Sequence, residues 1–244
     1  MKTSQDSLLD GSLVLEQPTS GYRIGFDPLL LSAFAPKLSQ KANVLDLGCG
    51  VGGVFLSFAQ RQPGMSVTAL DREEEFCFLA KKNALLNEIP GCKILNQDIR
   101  SATDLFEPQS FDLVLANPPF YKRNSGRLSQ DPKRAAAHHE IHGDLQDWLD
   151  CGNFLTKPNG HFCLIHLAAR AEECLEELVS NFASIEWLQV KPKADRPANR
   201  VLIRASKQVP EKLRQLPDLT IHEQNGSLTE QASAIINSDA MLEF

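Results

Sequence analysis

Short apolar segments alternate with longer helix-compatible segments through the middle of the chain, and this alternation constrains the fold more than any other feature. Asn43–Leu47 is the first apolar run, and the glycine-rich stretch Gly48–Gly53 follows it directly. Val54–Gln60 then has a helix-compatible pattern, and the same order recurs further along. Because parallel strands need crossover connections, the alternation predicts an α/β fold with a mainly parallel sheet and helices on both faces.

The segments divide into predicted strands and predicted helices. The predicted strands are Asn43–Leu47, Ser66–Leu70, Lys93–Asn96, Phe111–Ala116, His161–Leu167, Ile185–Val190 and Val201–Ala205. The predicted helices are Asp27–Phe34, Val54–Gln60, Glu73–Leu86, Leu145–Leu155 and Ala168–Phe182. Asp27 is predicted to cap the first helix, with Pro28 at its first position.

The final predicted strand should run opposite to its neighbours. Only the loop Lys191–Arg200 separates Val201–Ala205 from the strand before it, which leaves no room for a crossover helix. In the tail, Pro210–Phe244, we predict an edge strand at Leu219–His222 and a short helix at Thr229–Ile236.

The composition is that of an ordinary globular protein. Hydrophobic residues make up 42% and charged residues 23% of the 244 positions, and no uncharged apolar run reaches about 18 residues. We therefore expect a cytoplasmic protein without a membrane segment. The six cysteines lack C-x-x-C spacing, so we expect neither a metal nor a disulfide framework.

The net charge of −6 argues against indiscriminate binding to nucleic acid. Two basic segments could still form a local basic face, with ordinary solvated charge as the alternative interpretation of either one. The first segment contains Lys122, Arg123, Arg127, Lys133 and Arg134, and the second contains Lys191, Lys193, Arg196, Arg200 and Arg204.

The glycine-rich loop follows a strand end, where open α/β sheets bind their ligands. Its glycines allow a ligand to approach the backbone closely. The spacing is neither the G-x-G-x-x-G of a dinucleotide site nor that of a phosphate-binding P-loop with Lys-Ser/Thr. The loop therefore favours a ligand other than a nucleoside diphosphate.

The segment VLDLGCGVGG resembles the first motif of class I S-adenosylmethionine-dependent methyltransferases. Asp46, Gly48, Gly50 and Gly52 supply its D/E-x-G-x-G-x-G core, with Cys49 between the first two glycines. The resemblance implies S-adenosylmethionine as the cofactor. It also implies a Rossmann-like, seven-stranded sheet in the order 3-2-1-4-5-7-6, with the seventh strand antiparallel.

The same resemblance assigns the residues that follow the next two strands. It implies that Asp71 binds both ribose hydroxyls, since a carboxylate can accept two hydrogen bonds at once, and Arg72 belongs to the same expected site. It also implies that Asp98 and Ile99 recognise the adenine. Alternatively, Asp71 caps the following helix and Asp98 is a turn residue.

The fourth predicted strand is followed directly by Asn117, Pro118, Pro119 and Phe120. The two prolines make the backbone rigid at this point. An amino group conjugated to a ring is a weak nucleophile because its lone pair is delocalised. The Asn117 side-chain oxygen and the Pro118 carbonyl would accept its two hydrogens and hold that lone pair toward a methyl sulfonium. Phe120 would stack on the target ring.

The tetrapeptide resembles the [D/N]-P-P-[Y/F] motif of amino methyltransferases that act on adenine N6, guanine N2, cytosine N4 or a glutamine side chain. No general base is needed before transfer, because the amine loses its proton after gaining the methyl group. We therefore interpret His138, His139 and Glu140 as binding-loop or structural residues.

A wider pattern resembles the bacterial tRNA adenine N6-methyltransferases that modify valine tRNA in the anticodon loop. It consists of GYRIGFDPLLLSAF, NPPFY, AAAHHE and RPANRVLI. The resemblance implies that the segment before the first strand closes over the cofactor, with Tyr22, Arg23 and Asp27 lining the pocket. We expect tRNA to be bound by Tyr121, Lys122, Arg123, Arg127, His138, Arg196 and Arg200.

The expected organisation is a cofactor-covering segment at 1–40, a methyltransferase domain at 41–208 and a C-terminal extension at 209–244, in a monomer or weak dimer. One alternative is a glutamine N5-methyltransferase acting on a release factor. Such enzymes usually carry a separate N-terminal helical domain, whereas only about 40 residues precede the glycine loop here. Another alternative is a non-catalytic methyltransferase-fold subunit that binds RNA or a partner, but such proteins tend to lose the motifs that are intact here.

Overall fold

The computed structural model describes residues 2–20, 23–89, 91–120, 144–207 and 212–244. Several residues with predicted roles lie outside the described residues, and those roles stay predictions. They are Tyr22, Tyr121, Lys122, Arg123, Arg127, Lys133, Arg134, His138, His139 and Glu140.

An N-terminal hairpin precedes the α/β part of the chain. Its strand β1 (Thr3–Leu8) pairs antiparallel with β2 (Leu13–Pro18) through a short turn at Leu9–Gly11. Leu13 and Leu15 are fully buried, so β2 packs on the core of the molecule. The sequence does not predict these strands, because β1 is largely polar and β2 has only a brief apolar alternation.

One mixed sheet organises the remainder of the described chain. Its strands are β3 (Asn43–Leu47), β4 (Ser66–Asp71), β5 (Lys93–Asn96), β6 (Phe111–Ala116), β7 (Thr156–Leu167), β8 (Ser184–Lys193), β9 (Arg200–Ser206), β10 (Lys212–Gln215) and β11 (Leu219–His222). Their spatial order is β5-β4-β3-β6-β7-β9-β8-β10, and β11 also pairs with β8.

The predicted order of the seven central strands is confirmed, and so is the antiparallel direction of β9 against β7 and β8. The sheet is nevertheless larger than predicted, with nine strands in the described residues. The predicted edge strand β11 and an additional strand, β10, both pair parallel with β8. The sequence of β10, Lys-Leu-Arg-Gln, is exposed at every position and offers no apolar pattern from which to predict a strand.

Helices cover both faces of the sheet, as predicted. They are α1 (Asp27–Phe34), α2 (Gly53–Arg61), α3 (Glu74–Leu86), α4 (Ala102–Leu105), α5 (Leu145–Leu155), α6 (Ala171–Val179) and α7 (Glu230–Asn237). On one face, α1, α2, α3, α7 and β2 contribute to a single hydrophobic cluster. On the other face, α4, α5 and α6 contribute to a second cluster.

Two helix predictions need correction. The helix predicted over Ala168–Phe182 is shorter, because a 3-10 turn at Ala168–Arg170 precedes α6. Asp27 does not cap α1: Phe26 is the N-cap residue, and no side-chain cap bond forms. The Asp27 carboxylate is instead paired with the Arg200 guanidinium, 3.0 Å away.

The sheet order brings three strand ends together. β3 lies between β4 and β6, with Leu47 opposite both Leu70 and Ala116. The loops after these three strands therefore meet at one edge of the sheet. Within the described ranges, no helix is both long and apolar enough to cross a membrane. The predicted division at residues 40 and 208 stays a prediction.

Candidate functional site

The glycine loop joins β3 to α2 and requires backbone conformations that glycine adopts readily. Gly48, Gly50 and Gly52 all have positive φ, at +65°, +54° and +101°. At Gly48 a Cβ atom would lie 2.3 Å from Cη2 of Trp148, so the ring of Trp148 on α5 requires glycine there. Gly52 is the N-cap residue of α2.

Gly50 faces open space, unlike Gly48. A Cβ atom built on Gly50 would have no heavy atom within 4 Å. Its backbone N–H donates to Oδ2 of Asp71 at 2.8 Å, which fixes the peptide. The preceding residue, Cys49, is buried and donates its backbone N–H to the Leu70 carbonyl at 2.9 Å. A ligand could therefore approach a rigid, unobstructed stretch of backbone at Gly50.

Asp71 ends β4 and joins the glycine loop to the start of α3. Its Oδ2 accepts from Gly50, and its Oδ1 accepts from the Glu73 backbone N–H at 2.9 Å. Asp71 does not cap α3, because Glu73 is the N-cap residue and no side-chain cap bond forms; at the start of this helix, Asp71 binds only the N–H of Glu73. Two oxygens offer about four lone-pair sites, which leaves room for further donors. Burial raises the pKa of Asp71 above its usual value.

Asp46, the second-last residue of β3, is a fully buried carboxylate with one unused oxygen. Its Oδ2 accepts from the Phe55 backbone N–H at 3.1 Å. Its Oδ1 has no hydrogen-bond partner among the described residues. Burial raises the pKa of Asp46 well above its usual value. A buried acceptor without a partner is uncommon in proteins, so Oδ1 is suited to a donor from a bound ligand or water.

Asp98 follows β5 and is largely occupied by a neighbour. The Arg100 guanidinium donates to both of its oxygens at 2.9 Å, and Arg72 lies 3.8 Å from Oδ2. The hydrogen bond from Arg100 lowers the pKa of Asp98. Asp98 also accepts from the Arg100 backbone N–H as the cap of a short turn, which matches the turn interpretation. The next residue, Ile99, is buried in the hydrophobic cluster on this face.

The Asn-Pro-Pro-Phe segment leaves β6 beside the glycine loop, because Ala116 pairs with Leu47 of β3. Asn117 is half-buried, and no described residue forms a hydrogen bond with its side-chain amide. Pro118 is buried and Pro119 is partly exposed. The Asn117 amide, which has unused hydrogen-bonding capacity, is thus attached directly to the end of a buried strand.

Phe120 lies between two side chains from neighbouring strands. The ring of His166 on β7 meets it edge-on, with centroids 5.5 Å apart and planes at 84°. The Arg200 guanidinium carbon is 4.4 Å from the Phe120 centroid. His166 is fully buried, and burial lowers its pKa to about 3, so this ring is neutral at physiological pH.

The N-terminal site residues have partners within the protein. The Arg23 guanidinium donates to Ser4 Oγ and to the Pro18 carbonyl, at 2.9 and 2.8 Å, and pairs with the Asp6 carboxylate. It is therefore directed at the hairpin. Asp27 pairs with Arg200, which connects α1 to the Phe120 environment.

Most of the second basic segment is also paired. Lys191 forms an ion pair with Asp218 at 2.7 Å, and Lys193 donates to the Gln224 carbonyl at 3.0 Å. Arg196 is exposed in the turn between β8 and β9. Of the predicted tRNA-binding cations in the described part of the chain, Arg196 is the most available to an external phosphate.

Three residues near the site were not predicted: His166, Trp148 and Asn83. His166 and Trp148 stand in ordinary apolar patterns, and nothing in the sequence distinguishes them. Asn83 donates to the Val51 carbonyl of the glycine loop at 2.9 Å. Its only sequence signal is the spacing to Asn87, which places both side chains on one face of α3.

The arrangement fits S-adenosylmethionine. The backbone at Gly50 is approachable, Asp71 has acceptor capacity for a diol, and Asp46 has an unpaired buried oxygen. These three features surround one loop at the edge of the sheet where such folds bind their ligands. In the described part of the chain, no group of three or more His, Cys, Asp or Glu side chains could hold a metal ion.

Comparison with known proteins identifies the family. A profile described as Methyltransferase small domain matches residues 27–144. The tRNA1(Val) (adenine(37)-N6)-methyltransferase of Aeromonas hydrophila is 30% identical over 211 residues, which cover 86% of each chain. The protein of the same name from a Shewanella species is 31% identical over 218 residues, covering 86% of this chain and 89% of its own.

Among solved structures, a predicted O-methyltransferase from Agrobacterium tumefaciens superposes with a TM-score of 0.71 at 21% identity. The match covers 88% of this chain and 98% of that one, and it supports the fold alone. The two sequence relatives also show the family, because their identity to this chain extends over most of both chains. This chain belongs to the tRNA1(Val) (adenine(37)-N6)-methyltransferase family and is an S-adenosylmethionine-dependent methyltransferase.

Proposed function

We propose that this enzyme methylates the N6 amino group of an adenine in the anticodon loop of a tRNA, and that it works in the cytoplasm, where tRNA is available. The observation that carries the proposal is the position of Asn117, half-buried and without a described hydrogen-bond partner, beside the glycine loop. The names of the relatives from Aeromonas and Shewanella support adenine as the target.

The cofactor would lie along the glycine loop. When bound, S-adenosylmethionine supplies a methyl group made electrophilic by a sulfonium. Asp71 would accept hydrogen bonds from the two ribose hydroxyls with the lone pairs that its backbone partners leave unused. Gly50 would allow close approach of the ligand, and the adenine would lie near the turn that Asp98 and Ile99 begin. Asp98, which already accepts hydrogen bonds from Arg100, could accept one more from the adenine amino group.

Asn117 and Pro118 would orient the target amine. An exocyclic amino group has two hydrogens, and the Asn117 Oδ1 and Pro118 carbonyl are two acceptors on one rigid strand exit. With both hydrogens engaged, the nitrogen lone pair can point out of the ring plane toward the methyl group. The contribution is therefore positional, since the amine needs no deprotonation before the attack.

Phe120 would provide the stacking surface for the target base. Phe120 is largely buried, and Arg200 covers one face of its ring, so a base that stacks on that face would displace the guanidinium. A cation–π contact is worth about 0.5 to 2 kcal/mol, and stacking of a base on an aromatic ring about 1 to 3 kcal/mol. Replacing the Arg200 contact by a stacked base therefore changes the free energy little, and the ion pair between Asp27 and Arg200 can persist while the base is bound.

The first test is the identity of the product. Total tRNA is incubated with the enzyme and radiolabelled cofactor, digested to nucleosides and separated. We expect the label in N6-methyladenosine. Label in another nucleoside, or transfer only to a release factor offered in parallel, would exclude the proposed substrate.

Replacing Asp71 with alanine should weaken cofactor binding by about ten- to a hundredfold, because hydrogen bonds to a charged acceptor contribute about 1.5 to 3 kcal/mol. Calorimetric titration with S-adenosylhomocysteine measures the effect. Asp104→Ala, which removes an exposed carboxylate from α4, is the matched control and should bind like the parent. If Asp71→Ala, still folded by circular dichroism, kept the parent affinity, Asp71 would not belong to the site.

Replacing Lys122, Arg123 and Arg127 together with alanine should raise the tRNA dissociation constant and flatten its dependence on salt. Each lost phosphate contact reduces the slope of log K against log salt by about 0.7 to 0.9. The control is a triple variant of three exposed lysines that lie outside the loops after β3, β4 and β6: Lys41, Lys81 and Lys93. Equal salt dependence in the parent and the first triple variant would remove these residues from the tRNA-binding surface.

A further inference from the structure

Asn83 is a fully buried residue of α3 whose side chain contacts two separate parts of the protein. Its Oδ1 accepts from the Glu16 backbone N–H at 2.8 Å, and its Nδ2 donates to the Glu16 carbonyl at 3.0 Å. The same Nδ2 donates to the Val51 carbonyl at 2.9 Å. Since Glu16 lies in β2 and Val51 in the glycine loop, one amide joins the hairpin to the cofactor loop.

The hairpin depends on contacts of this kind. A two-stranded hairpin is only marginally stable alone, and the edge of β2 away from β1 would otherwise have unpaired backbone groups. Asn87, one helical turn beyond Asn83, accepts from the Val14 N–H and donates to the Val14 carbonyl, both at 2.7 Å. The two asparagines thus pair with alternate residues of β2 as a neighbouring strand would.

The bond to Val51 distinguishes the two asparagines. Val51 is buried and lies between Gly50 and Gly52, both with positive φ. Glycine has more conformational freedom than other residues, so its peptide neighbours need external contacts to hold one orientation. Asn83 supplies such a contact. Asn87 donates instead to the backbone carbonyl of Asn83 at 2.7 Å and has no bond to the loop.

We propose that Asn83 is a positioning residue that couples docking of the N-terminal hairpin to affinity for the cofactor. While the hairpin is docked, Asn83 is held by Glu16 and fixes the Val51 carbonyl, and the backbone at Gly50 keeps its ligand-ready geometry. The coupling must be reciprocal: a cofactor that selects the ordered loop also stabilises the docked hairpin. This inference concerns the cofactor alone and holds whatever the methyl acceptor is.

Hydrogen exchange in the parent protein tests the coupling without any substitution. The Val14 and Glu16 amides, which donate to the two asparagines, are followed with and without saturating S-adenosylhomocysteine. We expect the ligand to slow their exchange by about fivefold or more, the lower range of typical coupling energies. Unchanged exchange at both amides would overturn the proposal.

A pair of variants then separates Asn83 from the hairpin in general. Asn83→Ala should speed exchange at Glu16 and weaken S-adenosylhomocysteine binding by about tenfold, measured by calorimetry. Asn87→Ala should speed exchange at Val14 yet keep the ligand affinity within about threefold, because the Asn83–Val51 bond remains. Parent-like affinity in folded Asn83→Ala, or equal losses in both variants, would contradict the role of Asn83. If Asn83→Ala does not fold, the exchange result in the parent decides.

Discussion

Replacing Asn117 with alanine should lower the rate of methyl transfer by about a hundred- to a thousandfold while leaving the affinity for S-adenosylhomocysteine within about threefold of the parent. Asn117 is proposed to orient the target amine, so its loss affects the transition state and not the cofactor. Its side chain has no hydrogen bond to a described residue, so within the described part of the chain the truncation breaks no hydrogen bond. Single-turnover methylation of tRNA, together with calorimetry, separates the two effects.

Asn117→Asp is the matched control. It keeps an acceptor oxygen at the same position, and the motif that the segment resembles accepts either residue. We expect this variant to retain at least about a tenth of the parent rate, provided that the carboxylate stays ionised. Near-normal turnover in Asn117→Ala would show that the amide does not orient the substrate.

The largest loss of stability should come from Arg61, near the C-terminal end of α2. Its buried guanidinium donates to the Ser32 hydroxyl at 3.1 Å and to four carbonyls. Those carbonyls belong to Leu29, Ile235, Ser238 and Ala240, at 3.4, 2.7, 3.0 and 2.5 Å. Arg61 thus holds α1 and the segment after α7 together. Burial lowers the pKa of Arg61 to about 10, so it remains charged at neutral pH.

Arg61→Met should lower the free energy of unfolding by about 3 kcal/mol, because it removes charge-assisted hydrogen bonds and takes the guanidinium donor away from the buried Ile235 carbonyl. Urea denaturation measures the change. Arg100→Met is the control: the Arg100 side chain is 58% exposed, so water screens its ion pair with Asp98 and its loss should change the free energy of unfolding far less. Equal losses in the two variants would mean that the Arg61 contacts do not stabilise the fold.

The parts of the structure that the sequence predicts well are those encoded by local patterns. Strong local signals mark the apolar run Asn43–Leu47, its glycine loop and the strand before Asn117. The resemblance to class I methyltransferases then supplies the order of the strands. This logic gives the correct central sheet and places the glycine loop beside the Asn-Pro-Pro-Phe segment.

The features that escaped prediction depend on contacts between distant residues. Asp27 resembles a helix cap in its local sequence, but Arg200, 173 positions later, pairs with its carboxylate. The free edge of β2 forms hydrogen bonds with two asparagine side chains far along the chain. Asn83 binds Glu16 across 67 positions, and Asn87 binds Val14 across 73 positions. Neither partnership leaves a periodic or compositional signal, so both require the three-dimensional structure.

Methylation of the adenine amino group is tested most directly with two transcripts of a valine tRNA that differ only at position 37. The names of the relatives from Aeromonas and Shewanella give this position. One transcript carries adenosine there, and the other carries inosine, which lacks the exocyclic amine. Mass spectrometry of nuclease fragments locates any methyl group. We expect one methyl group on the adenosine at position 37 and none on the inosine transcript. Equal methylation of both transcripts, or a methyl group at another position, would contradict it.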